Sequence, residues 1–101
     1  MIQVFADRRG SRCRLLVAGH AEHAKGPDIV CAGVSALVSA LVRYAAASPA
    51  CRHLRHYVAH GEVFLSCRGG LGAGFDMVLG GLRAIAEQYP ECVKIERALC
   101  C

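Results

Sequence analysis

Ile2-Gln3-Val4-Phe5-Ala6-Asp7-Arg8-Arg9-Gly10-Ser11-Arg12-Cys13-Arg14-Leu15-Leu16-Val17 sets the architecture of this chain. Ile2, Val4 and Ala6 alternate with Gln3, Phe5 and Asp7, a period of two that sends one set to each face of a strand. Arg9-Gly10-Ser11 interrupts the pattern, and Cys13, Leu15 and Val17 resume it. The segment therefore reads as a β-hairpin whose second strand ends at Gly19-His20.

Beyond it the period changes. Residues 19–27 hold Gly19, Gly26 and Pro27 among small and charged neighbours, which marks a flexible loop, and Pro27 suits the first position of a helix. Helix one is predicted from about Asp28 to about Ala47, stopped by Ser48-Pro49, with Val30, Val34, Leu37, Leu41 and Tyr44 as its buried face. Leu54 to Cys67 repeats the hairpin pattern around His60-Gly61, with Val63, Leu65 and Cys67 on one face. The glycine cluster from Gly69 to Gly74 matches neither GxGxxG nor GxxxxGK[ST] and reads as a flexible connection. Phe75, Val78, Leu79, Leu82, Ile85, Ala86 and Tyr89 stripe a second helix that Pro90 ends, and Val93, Ile95 and Arg97 form a last strand. The order is ββαββαβ. It predicts an α/β (α+β) two-layer sandwich, two helices packed on a mainly antiparallel sheet, with residues 1–101 as a single domain.

Composition narrows the function classes. The chain has 101 residues, 54% of them apolar, enough to bury one core. The N-terminal segment carries Asp7, Arg8 and Arg9 and no long apolar run, so it does not read as a secretory signal. The longest uncharged apolar run, Ile29 to Val42, is shorter than the roughly 18 residues a membrane span needs. Seven cysteines, an odd number with no Cys-x-x-Cys pair, indicate reduced thiols and a cytoplasmic location rather than a disulfide framework or zinc ribbon. Most read as small core residues, and Cys100-Cys101 as a frayed tail. The net charge of +4, with Arg8, Arg9, Arg12 and Arg14 near the first turn, admits contact with an acidic surface, ribosomal RNA included. A solvated hairpin end is the simpler account of it.

Chemistry concentrates where the loop meets helix one. Asp28, Cys31 and Ser35 stand at i, i+3 and i+7, along one helical face, with His20 and His23 in the preceding loop. Unpaired amides at a helix start favour thiolate, and a nearby imidazole can hold the proton the thiol gives up. Taken singly, Asp28 reads equally as an N-terminal cap, Ser35 as a small packing residue and His20 as a polar loop residue. Together, His20 and Cys31 read as a catalytic pair.

These residues resemble the ribosomal-processing cysteine protease (Prp) family. Its signature, Gly-His-Ala, a short variable loop, then Gly-x-Asp-Ile-Val-Cys-Ala-x-x-Ser-Ala, is matched here by Gly19-His20-Ala21 and by Gly26-Pro27-Asp28-Ile29-Val30-Cys31-Ala32-Gly33-Val34-Ser35-Ala36. The similarity extends to chain length, element order and the Gly81-Leu82-x-x-Ile85-x-x-x-Tyr89-Pro90 ending of helix two. The resemblance implies a homodimeric protease that trims a short N-terminal extension from large-subunit ribosomal protein twenty-seven during ribosome assembly. It carries the nucleophile to Cys31 and the general base and acid to His20. Gly19, Asp28 and Ser35 are expected as supporting or substrate-binding residues. No cofactor, metal, membrane or nucleic acid is required by this reading. Two alternatives stand beside it. One is a small metal-binding module using His20, His23 and Cys31, for which no fourth ligand is evident. The other is a ribosome-associated adaptor without catalysis.

Overall fold

The computed structural model describes residues 1–19, 29–59 and 61–97. Its elements follow the expected order: β1 (Ile2–Arg9), β2 (Arg12–Ala18), α1 (Ile29–Ala47), β3 (Arg52–Ala59), β4 (Glu62–Arg68), α2 (Gly72–Gln88) and β5 (Val93–Arg97). The five strands form one sheet in the order β3-β4-β2-β1-β5, antiparallel throughout except for the β1–β5 pair. Gly10 turns the first hairpin with φ of +54°, the left-handed conformation that a two-residue loop requires.

The topology places both helices on one face. β2-α1-β3 and β4-α2-β5 each join parallel strands and move in opposite directions across the sheet. Because β2 and β4 are themselves antiparallel, the same right-handed crossover sends both helices to the same side. Strand alternation aims Ile2, Val4, Cys13, Leu15, Val17, Leu65, Cys67 and Val93 at them, and all eight are buried. The buried residues are apolar; among the described residues no charged or polar side chain is buried.

Helix one differs from expectation in its stripe. The buried residues are Val30, Val34, Val38, Leu41 and Ala45, whereas Leu37 is only partly covered and Tyr44 is 54% exposed. The row i, i+4, i+8 follows the sheet, while Leu37 and Tyr44 turn toward α2. A Cβ at Gly81 would lie 2.9 Å from Leu37 Cδ1, and one at Gly74 would lie 3.4 Å from the Tyr44 ring. The two helices thus meet through large side chains set over glycines. That contact explains a second difference. The segment read as a flexible connection contributes its last glycines to α2, which begins at Gly72, and only Gly69 and Gly70 turn the chain, at φ of +75° and +69°. The α2 stripe itself is as expected, with Phe75, Val78 and Leu82 fully buried.

Candidate active site

β2 ends where three chain segments meet. Gly19 adopts φ of +101° and donates its N–H to the Gly61 carbonyl at 2.9 Å, tying the end of β2 to the β3–β4 turn. A Cβ at Gly19 would collide with the Met1 carbonyl oxygen, so only glycine fits between these neighbours. From this fixed point the chain proceeds to His20. His20, His23 and Asp28 lie outside the described residues, so the structure does not bring them to the thiol or hold them away from it.

α1 begins at Ile29 and places Cys31 in its first turn. Backbone N–H groups of a first turn have no partner within the helix, and their partial positive charge favours an anion such as a thiolate. Cys31 is half-buried and opens into a groove of about 410 Å³. Ser35 lines the groove one turn further on, as its spacing predicts. Ser39 continues the same row a turn beyond that. Ile2, Val17 and Val38 give the groove an apolar floor.

The far wall comes from Val58, Ala59, Gly61 and Glu62. These residues exist as a wall because β3, the edge strand, overhangs the helix layer: Val58 belongs to the helix-facing side of the sheet yet is 69% exposed. Glu62 accepts a hydrogen bond from the Tyr57 hydroxyl, which holds the phenol above its ordinary pKa. Ser39 had a signal in the sequence, the i+4 continuation of Cys31 and Ser35. The far wall had none, because it depends on which strand lies across from α1.

The remaining described thiols are built differently. Cys13 and Cys67 are directly opposed across β2 and β4, each about 1% exposed, and Cys51 hydrogen-bonds Cys67 from the loop after α1. Burial pushes the Cys67 thiol up to about 12, helped by Cys51, and burial likewise raises Cys13. Cys13 and Cys67 therefore stay protonated and are not nucleophiles at neutral pH. Among the described residues no group of three or more His, Cys, Asp or Glu side chains is arranged to hold a metal ion. The zinc alternative rests on His20 and His23, outside those residues.

A half-buried cysteine in a helical first turn, facing an open groove, can attack a bound carbonyl. Comparison with known proteins agrees. A family model described as cysteine protease Prp matches residues 1–94. The solved essential ribosomal processing protease Prp from S. aureus, in complex with a covalently linked product peptide, is 26% identical with a TM-score of 0.78, over 96% of this chain and 99% of that one. The same S. aureus protease with a substrate peptide gives 25% identity and a TM-score of 0.75 over the same shares. SMU.848 from Streptococcus mutans is 27% identical, with a TM-score of 0.72 over 96% of this chain and 93% of that chain. No curated protein matches at a significant level. Fold, groove and family model together define a cysteine protease. The chain belongs to the Prp family of these enzymes.

Proposed function

We propose that this protein is a cytoplasmic cysteine endopeptidase that removes a short N-terminal extension from large-subunit ribosomal protein twenty-seven, with Cys31 as nucleophile and His20 as general base and acid. The observation that carries the reading is the position of Cys31: the first turn of α1, half-buried, on the wall of an open groove. The S. aureus relatives, described as ribosomal processing proteases and solved with substrate and covalently linked product peptides, support the substrate class.

The chemistry follows from these positions. The Cys31 thiolate attacks the scissile carbonyl carbon, and His20 delivers a proton to the leaving amine as the C–N bond breaks. A thioester now joins the N-terminal extension to Cys31. His20 takes a proton from water, the resulting hydroxide attacks the thioester, and the thiolate is released. First-turn amides of α1 are the natural donors to the oxyanion. Gly19 fixes where the His20 loop begins, Ser35 lines the pocket beside the thiol, and Asp28 orients His20 or caps the helix.

The dimer belongs to the same proposal. α1 leaves Ala32, Ala36 and Ala40 exposed, a small-residue surface that a second copy can approach closely. The deciding experiment mixes purified protein with the full-length ribosomal precursor and sequences any new N-terminus. A single new N-terminus produced by the wild type and absent with Cys31→Ser supports the proposal. Unchanged precursor in the presence of folded protein would return the choice to the adaptor, and stoichiometric zinc surviving dialysis would favour the metal-binding module.

A further inference from the structure

The sheet face turned away from the helices carries three aligned rows that neither the core nor the groove uses. In register across four strands, Arg9 faces Arg12, Arg12 faces Arg68, and Arg68 faces Arg52, the last across a β-bulge in β3. The next row inward reads Asp7, Arg14, Ser66 and Arg55, and the one after it Phe5, Leu16, Phe64 and Tyr57. Alternation places these rows opposite Ala6, Leu15 and Leu65, which face the helices.

The outermost row costs the fold something. Like charges directly opposed on neighbouring strands are destabilising, and four strands about 4.8 Å apart put four guanidinium groups within roughly 14 Å. Asp7 is the sole carboxylate registered in the two arginine rows, and it accepts from Arg14 Nη2 at 2.8 Å. Arg12, Arg52, Arg55 and Arg68 are exposed. In the third row Tyr57 and Phe64 stack with ring centroids 5.6 Å apart and an interplanar angle of 25°. Among the described residues no helix covers these rings, and none of the row belongs to the hydrophobic core.

We propose that this helix-free face binds single-stranded RNA, with phosphates held along the arginine rows and bases stacked on the ring row. The match is one of chemistry. Arginine forks take phosphate oxygens in pairs, and each base has a face that stacks on an aromatic ring. A duplex hides those faces, and an acidic peptide would use the arginines but not the rings. Phe5, Leu16 and Phe64 are half-buried and adjacent in register, a platform suited to stacking rather than a set of protruding anchors for lipid. The surface touches the Cys31 groove through the Tyr57–Glu62 hydrogen bond but uses none of its lining residues, so the proposal stands whether or not the peptidase assignment does.

Fluorescence anisotropy of a labelled twelve-nucleotide oligouridylate against the full-length protein tests it, across a salt series. Saturable binding is expected, with log K falling against log salt at a slope of roughly −2 to −3, the value for three or four neutralised phosphates on a single strand. Arg12→Gln/Arg68→Gln should reduce that slope by about 1.4 and weaken binding. Tyr57→Ala should weaken binding by roughly five- to 150-fold while leaving the slope unchanged. Thermal melts establish that each variant folds, and the arginine variant should cleave the ribosomal precursor at the wild-type rate. Absence of binding at low salt overturns the proposal. So does equal affinity for duplex RNA, polyglutamate or phosphatidylserine vesicles, or binding that both variants retain.

Discussion

Cys31 and Cys67 are the same side chain placed near the two ends of α1. At the start of the helix, Cys31 meets the first-turn amides and an open groove. Past its other end, Cys67 lies 1% exposed, against Cys13 and Cys51, in packed apolar surroundings that push its thiol up to about 12. A helical N-terminus rewards a charge that the core penalises, so the same side chain meets opposite surroundings at these two positions.

The largest effect that can break this contrast is on catalysis. Cys31→Ser should lower single-turnover cleavage of the precursor's junction peptide by on the order of 10³-fold or more, whereas Cys67→Ser should leave it close to wild type. Comparable losses in the two variants, both still folded by circular dichroism, would erase the distinction. His20→Ala should match Cys31→Ser, and the double variant should be scarcely worse, because the two residues act as one unit. Additive losses would instead mark independent binding contacts.

Alkylation sharpens the comparison next. Iodoacetamide at neutral pH should modify Cys31 first, with Cys13 and Cys67 reacting only once denaturant opens the core. Peptide mapping by mass spectrometry reads the order. Stability should then reverse the ranking seen in catalysis. Cys67→Ser sets a hydroxyl in a packed site and should cost about 1–3 kcal/mol, while Cys31→Ser at the groove wall should leave the melting temperature nearly unchanged. The smallest effect is on pH. Because the folded Cys67 thiol holds its proton to about 12, above the ordinary 9.0, the unfolded chain ionises first. Its contribution is therefore full below about pH 9 and lost as pH rises from there toward 12. Urea titrations from pH 8 upward should show a midpoint that falls more steeply for wild type than for Cys67→Ala.

Much of this arrangement is legible in the chain, and what is not has a common cause. Alternation of Ile2, Val4 and Ala6 gives β1, and the spacing of Phe75, Val78 and Leu82 gives the buried face of α2, because both are local consequences of backbone period. The Cys31–Ser35 line is local too. The wall formed by Val58, Gly61 and Glu62 is not, since no spacing says that the second hairpin's turn will stand across from helix one. Tyr44 departs from the expected stripe for a similar reason: its ring turns away from the sheet toward Gly74 on another helix. The arginines show the limit most clearly. Arg8, Arg9, Arg12 and Arg14 look like one cluster, yet Arg8 pairs with Asp76 on α2, while Arg9 and Arg12 align with Arg68 and Arg52 from distant strands.

The parallel pairing of β1 with β5 also dictates an order of assembly. The first hairpin closes locally, but β1 gains its second neighbour only when Val93 and Ile95 arrive beside Ile2 and Val4, and the Ile2 N–H donates to the Cys92 carbonyl. Ile2 is part of the groove floor, although every other described lining residue precedes residue 64. Long-range pairing of this kind forms late, after its loop-closure entropy has been overcome. During synthesis, then, Cys31 and the rest of the described groove lining emerge before the strand that completes the sheet beside Ile2.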